Sequence, residues 1–452
     1  MGEDSIHRDE DKEIYVLGLD FGTAFTKCIA RSLRNESTSW PVEFMLNGRP
    51  RYFIDSVLRI RGSLKKSPFE TSMDDDKTIH FLKMRLLGKT SASADLWSDG
   101  STRDEAIADA AYFLSHVIAR ARDYMSMLSR KIGKVFDGSS GSELYVNMCM
   151  PVAVQDVPTQ EIFLKVLRVA YAVNRRRSES QPLPTYGEIL SCLGDPANFV
   201  DEGSFCSCYP ETSANLQSFL KSPARQDGYY ALVDVGGGTV DVTLLEYNSR
   251  KNTPLWYYHS EVICEGSSQM EMRLKSIFPR FPMHKLRHFK EGKSLPDNVA
   301  AEDLRASLDK VIKEIHDRVG RAMGCCIEGS FKRFGYSDIR RQKDQIRGMR
   351  FFFCGNGMCP NPYEHAVRFF HRAWDWNPDP DSVPFQAPRD LQINPVIDGD
   401  GGPVFQRFTV AYGLSFMQEN LSDCIYPKQI PIRPRNSREP DGYNPAADYE
   451  EN

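Results

Sequence analysis

Apolar and polar positions change period several times along this chain, and each change marks an element. Short apolar runs with strand character cover Leu17 to Leu19, Phe25 to Ala30, Leu144 to Met150, Tyr229 to Val235, Val240 to Tyr247 and Arg350 to Cys354. Between them, apolar residues recur every three or four positions. Thr102-Arg103-Asp104-Glu105 has the form of a capping box, and Ile107, Ala111, Leu114, Ile118, Ala121 and Met125 follow on one helical face. A second helix is expected from near Thr159, with Ile162, Val166, Val169 and Val173 on one side, and a third carries Leu304, Leu308, Val311, Ile315 and Val319. Asn361-Pro362-Tyr363-Glu364 supplies an N-cap, a proline at the first helical position and an early acid. Arg407 to Tyr412 reads as a last strand, with Gly413 opening a final helix.

This order of strands and helices predicts an α/β protein with two similar lobes. Residues 1–13 are expected to be disordered. Lobe I spans 14–224, with an inserted subdomain at about 47–100 carrying one helix around Ile79 to Leu87. Lobe II spans 225–420, with its own insertion at about 272–345. Residues 174 to 205 are polar and read as a surface excursion. The segment 421–452 holds Pro427, Pro431, Pro434, Pro440 and Pro445, shows no period, and is expected to be disordered or to fold on a partner.

Composition narrows the function. With 452 residues, 41% hydrophobic and 26% charged, the chain can build more than one core. A net charge of −4 provides no basic field for nucleic acid or an anionic membrane. The clusters Arg175-Arg176-Arg177 and Arg340-Arg341-Gln342-Lys343 read as solvated faces. The acidic start, Met1-Gly2-Glu3-Asp4, leads into no apolar region, so neither a secretory signal nor a spanning helix is read, and a cytoplasmic location is expected. The 11 cysteines lack framework spacing; Cys28, Cys149, Cys264 and Cys354 lie in apolar runs and are expected as reduced, buried thiols.

Two glycine-bearing turns carry the chemistry. Leu17-Gly18-Leu19-Asp20-Phe21-Gly22-Thr23 and Leu232-Val233-Asp234-Val235-Gly236-Gly237-Gly238-Thr239-Val240-Asp241 each join an apolar strand to a second strand through a turn with an aspartate at the strand end. Such turns let backbone N–H groups converge on phosphate oxygens. Asp20 and Asp234 are then expected to face each other across the phosphates and hold Mg²⁺ through its water shell, because Mg²⁺ dehydrates reluctantly.

These two segments, followed by Phe353-Cys354-Gly355-Asn356-Gly357, resemble the phosphate-1, phosphate-2 and adenosine motifs of the actin, heat-shock chaperone and sugar kinase ATPase superfamily. The second motif is most similar to the 70-kDa heat-shock chaperones. Tyr209-Pro210-Glu211-Thr212-Ser213-Ala214 and Val410-Ala411-Tyr412-Gly413 resemble the two connecting helices. The resemblance implies a two-lobe actin-like ATPase fold, built from duplicated ribonuclease H-like mixed sheets with flanking helices and inserted subdomains, that binds ATP with Mg²⁺. It implies that Asp20, Asp234, Glu211 and Asp241 order Mg²⁺ and its waters. Gly22, Thr23, Gly236, Gly237, Gly238 and Thr239 cradle the phosphates, and Gly355, Asn356 and Gly357 lie at the adenosine. Thr239 or Asp241 orients the attacking water.

Lys27 stands where actins place a phosphate-binding lysine. Lys83 is the better analogue of the chaperones' catalytic lysine, although matching Arg85-Leu86-Leu87-Gly88 without a gap puts Met84 there. Met358 or Cys359 replaces the arginine that stacks on adenine, and Ala24 replaces a threonine of the first loop. Only the proline-rich tail follows residue 420, so no peptide-binding domain is expected. The leading expectation is a slow ATPase acting as a chaperone-like switch on an unidentified protein partner. The alternatives are a sugar-type small-molecule kinase, an actin-like filament protein and a scaffold that binds nucleotide without turnover.

Overall fold

In the computed structural model the described residues are 12–34, 38–70, 73, 76–87, 102–136, 143–151, 157–175, 177, 181–199, 204–250, 254–282, 285–286, 301–334, 349–355, 386–392 and 404–430. The chain divides into two compact units: Met1–Ser222 with Gln386–Leu421, and Pro223–Phe385 with Ser422–Asn452.

Unit 1 is organised by one mixed sheet. Strands β1 (Ile14–Phe21), β2 (Phe25–Ser32) and β3 (Ser39–Pro41) form an antiparallel meander. Strands β4 (Phe44–Leu46) and β5 (Arg49–Arg51) make a hairpin, and β6 (Ile54–Asp55) pairs with β2. A small antiparallel sheet follows, from β7 (Leu58–Arg61), β8 (Leu64–Lys66) and β9 (Lys77–Ile79), and then helix α1 (Leu82–Leu87). The insertion expected to hold one helix therefore holds a sheet as well; its strands are too short and too polar to show an alternating pattern.

Helix α2 (Arg103–Lys131) starts on the capping box, with Thr102 and Glu105 bonded reciprocally, and all six residues of its expected face are buried. Strand β10 (Glu143–Met150) lies parallel to β1, and after α3 (Val157–Ala172) and α4 (Tyr186–Gly194), β11 (Cys206–Pro210) lies parallel to β10. The strand order is β11-β10-β1-β2-β3. On α3 Phe163, Val166, Leu167, Val169 and Ala170 are buried, so Val166 and Val169 of the expected face lie inward while Ile162 and Val173 are only half-buried. Within the 174–205 excursion, α4 begins on a second capping box, Thr185 with Glu188. Arg177 is buried against Asp123 at 2.9 Å rather than solvated.

Side chains of β1 alternate between two layers. Phe21 meets Phe113 of α2, with ring centroids 5.9 Å apart. On the other face Gly18 lies against α8 (Thr409–Leu414), and Asn147 of β10 donates to the Leu414 carbonyl at 2.8 Å. Helix α5 (Glu211–Leu220) crosses α8 where Ala214 touches Gly413 backbone to backbone. Arg31, 2% exposed, pins this returning segment by donating to Ser415 at 3.1 Å and Asp390 at 2.7 Å, stacked 3.9 Å over Phe416. Residues 407–412, expected as a strand, form a 3-10 turn (Val404–Arg407) and α8 instead. The apolar run Val410-Ala411-Tyr412-Gly413-Leu414 is buried on all sides, which strand and helix satisfy equally.

Unit 2 repeats the plan. Strands β12 (Gly228–Val235), β13 (Val240–Tyr247) and β14 (Leu255–Ile263) form the antiparallel meander, and β15 (Arg350–Cys354) lies parallel to β12. Helices α6 (Ser267–Ile277) and α7 (Ala301–Phe334) pack on this sheet, with Met270, Val311, Ile315, Val319, Met323 and Ile327 against Val233, Val235, Val242 and Phe351. Strand β16 (Cys424–Ile425) pairs parallel with β14, so residues 422–430 at the head of the proline-rich segment are ordered, with Ile430 buried beside Trp256 and Tyr258. Composition predicts disorder there because prolines hide a two-residue pairing.

The two sheets share one topology: a three-stranded meander whose first strand takes a parallel neighbour. This is the duplicated ribonuclease H-like mixed sheet expected from the sequence. No helix among the described residues is long and apolar enough to cross a membrane.

Candidate functional site

In unit 1 the β1–β2 hairpin makes Asp20 and Lys27 direct cross-strand partners, which explains their spacing. Lys27 Nζ lies 2.6 Å from Asp20 Oδ2, and Asp20 is 2% exposed. On the parallel neighbour β10, Cys149 presents Sγ 3.5 Å from Asp20 Oδ1. Lys83 of α1 reaches the same place, with Nζ 2.6 Å from Glu211 Oε2 and 3.8 Å from Cys149 Sγ. Glu211 opens α5, where the helix N-terminus favours a carboxylate. Both Lys83 and its neighbour Met84 are buried, at 4% and 3% exposure, and it is Lys83 whose side chain reaches Glu211.

Burial works against the Lys83 ammonium. The Glu211 carboxylate, which accepts from Nζ, and the Asp20 carboxylate offset it, and the pKa lies above the ordinary lysine value. Lys83 is therefore a fixed positive charge at neutral pH and not a proton acceptor. Burial pushes the Cys149 thiol well up, so it stays protonated and donates towards Asp20. Asp20, Cys149 and Glu211 bring ligand atoms within 4.8 Å of one another. A neutral thiol flanked by two lysines is a poor inner-sphere partner for Mg²⁺, which prefers oxygen and keeps its waters.

In unit 2 the same hairpin register pairs Asp234 with Asp241, two like charges directly opposite. Between them runs the turn Gly236 to Thr239, closed by Gly236 N–H donating to the Thr239 carbonyl at 2.9 Å. The first residues of α6 hold this turn from behind. The N–H groups of Gly266, Ser267 and Ser268 donate to the carbonyls of Gly238, Gly236 and Gly237 at 3.2, 2.9 and 2.8 Å. A Cβ on Gly266 would come 2.6 Å from Gly237 and Gly238, so only glycine allows this approach. With its carbonyls spent, the turn leaves the N–H groups of Gly237, Gly238 and Thr239 without an acceptor among the described residues. Consecutive amides of this kind form an anion-binding concavity.

Thr239 Oγ1 donates to Asp241 Oδ2 at 3.2 Å, which fixes the hydroxyl. At the end of β15, Gly355 has φ 87, and a Cβ there would come 2.6 Å from Asp234 Oδ1. Asp234 is 7% exposed. Gly22 and Thr23 are half-buried in the first turn. Asn356, Gly357, Met358, Cys359 and the helix start at Asn361 lie outside the described residues.

Unit 1 thus brings together Asp20, Lys27, Lys83 and Glu211, and unit 2 brings together Asp234, Gly236 to Thr239, Asp241 and Gly355. Sequence reasoning misses Cys149, because a cysteine in an apolar strand looks like core. It also misses Gly266, although Gly266-Ser267-Ser268 after a strand is a readable helix-start signal.

No family model matches the sequence, and no curated protein matches it. Among solved structures the chain is similar to a non-polymerisable quadruple mutant of pCBH ParM, at 12% identity and a TM-score of 0.45 over 89% of this chain and 98% of that one. It is also similar to the 15-stranded ParM filament from Clostridium botulinum, at 12% identity and a TM-score of 0.44 over 89% of this chain and 97% of that one. At these values the likeness adds nothing to the topology already described.

Proposed function

We propose that the protein binds ATP with Mg²⁺ and hydrolyses it slowly, as a nucleotide switch read by a protein partner. The observation that carries this reading is the unit 2 turn, whose carbonyls are tied to α6 while the amides of Gly237, Gly238 and Thr239 remain for an anion. Those amides fit phosphate oxygens. The Lys83 ammonium supplies the positive charge that phosphoryl transfer requires, and Thr239, held by Asp241, orients the attacking water. Asp234 and Asp241 would hold Mg²⁺ through its water shell, since a like-charged pair set directly opposite fits a cation. When bound, Mg²⁺ neutralises phosphate charge.

The test is ATP binding and hydrolysis by purified protein with and without Mg²⁺, comparing wild type with Gly266→Ala. Wild type is expected to bind with Mg²⁺, and Gly266→Ala to lose at least about tenfold in affinity because the turn is pushed out of shape. Equal ATP affinity in the two proteins, or none in wild type, sinks the reading.

The actin-like filament reading is favoured by one observation, the Lys27 ion pair with Asp20 at the position actins use. ATP-dependent pelleting that Lys27→Ala abolishes would replace the switch with this reading.

A further inference from the structure

The helix that carries Lys83 is held from behind. Helix α1 has 6 residues, too few to persist by itself. It starts after Phe81, whose φ of 62 is left-handed, a conformation that a bulky residue keeps only where its surroundings over-determine it. Leu82, Met84 and Leu86 are buried, but apolar contacts have no direction and do not fix rotation about the helix axis.

The directional contact comes from Arg85. Two residues beyond Lys83, it leaves the helix on the far side, and NH1 donates to Oδ2 of Asp109 at 3.2 Å. Asp109, in the second turn of α2, is 1% exposed. Its Oδ1 accepts from Lys65 Nζ of β8 and from the Tyr186 hydroxyl of α4, the latter at 3.1 Å. Lys65 Nζ also donates to the Tyr186 hydroxyl at 3.0 Å. One buried carboxylate therefore collects donors from β8, α1 and α4. Moving α1 would separate buried opposite charges, which is costly.

We propose that Asp109 is a positioning residue for Lys83: by holding Arg85 it fixes α1 so that the Lys83 ammonium stays at Glu211. This rests on the function proposed above only in giving Lys83 a role in hydrolysis. Through Tyr186 helix α4 joins the same anchor, so it belongs to the site's support.

The test uses Arg85→Met in the full chain, which leaves Asp109 balanced by Lys65 and Tyr186 and so avoids the folding risk of Asp109→Asn. Arg85→Met is expected to lower kcat about 10- to 30-fold with the KM for ATP within about twofold, and Arg85→Lys to restore most of the loss. On a Lys83→Ala background the same change should add less than about twofold, because its effect passes through Lys83. Amide hydrogen exchange at residues 82–87 should speed up by about tenfold or more. Unchanged exchange there overturns the positioning role even in a protein that turns over no ATP. Multiplicative effects of Arg85→Met and Lys83→Ala overturn it as well. An inactive Lys83→Ala with fully active Arg85→Met sinks this inference alone, full hydrolysis by Lys83→Ala removes the role of Lys83 and the positioning role with it, and absence of ATP binding and hydrolysis in wild type sinks the function proposed above.

Discussion

The two hairpins follow one plan and differ in the residue across the ladder. In unit 1 Asp20 faces Lys27, and in unit 2 Asp234 faces Asp241. The first pair is internally neutral, and Lys83 with Glu211 makes a second neutral pair beside it. Unit 1 therefore offers fixed side-chain charges that are already balanced. Unit 2 offers backbone amides and two opposed carboxylates, an arrangement that gains from a cation and an anion arriving together, as a metal triphosphate does. The two units thus differ in kind: balanced side-chain charges in one and a turn of backbone amides beside two carboxylates in the other.

The largest expected effect comes from removing unit 1's contribution. Lys83→Ala should lower single-turnover ATP hydrolysis by roughly 10²–10³-fold while leaving ATP affinity within a few-fold, because the cradle in unit 2 is untouched. A matching loss of affinity would mean that the division of labour is wrong.

Acid should separate the units next. Burial holds His116 of unit 1 down to about 4, with Ser67 at 2.8 Å on Nδ1 and the Pro184 carbonyl at 2.7 Å from Nε2. The unfolded chain binds this proton below about pH 6.5, and the folded chain only near pH 4, so the stability contributed is full above 6.5 and lost as pH falls through that window. The loss amounts to about 3 kcal/mol. Denaturant melts across this range, with hydrogen exchange assigning the loss to unit 1, check it, and His116→Gln should flatten the dependence.

Removing the like charge from the second hairpin gives a smaller effect. Asp241→Asn relieves the like-charge pair and should stabilise the Mg²⁺-free protein by up to about 1 kcal/mol, while weakening the Mg²⁺ dependence of ATP binding. Calorimetry with and without Mg²⁺ reads both changes, and a destabilised variant would show that Asp241 is held by more than Thr239. The smallest effect belongs to Cys149→Ser, which keeps a donor beside Asp20; hydrolysis should change less than about threefold, at a stability cost of about 1 kcal/mol.

Much of the fold is legible in the order of residues. The capping box at Thr102, the strands at Asp20 and Asp234 and the run ending at Cys354 all follow from local patterns that burial reinforces. Patterns fail where burial is uniform or pairing brief. The all-buried run around Tyr412 suits strand and helix alike, and β16 is 2 residues long. The candidate site is legible where its residues share a hairpin, because register fixes them to one another, and illegible where strangers in sequence converge.

Neighbouring residues thus settle the periodicity, the caps, the two glycine turns and the spacing that makes Asp20 and Lys27 cross-strand partners. Packing settles the rest: that Lys83 rather than Met84 turns to Glu211, that Cys149 joins Asp20, that Gly266 grips the second turn, and that Asp109 anchors Arg85. The reason is physical. Local preferences are set by sterics and hydrogen bonds within a few residues, whereas the meeting of distant charges depends on how sheets and helices pack, which no single segment encodes.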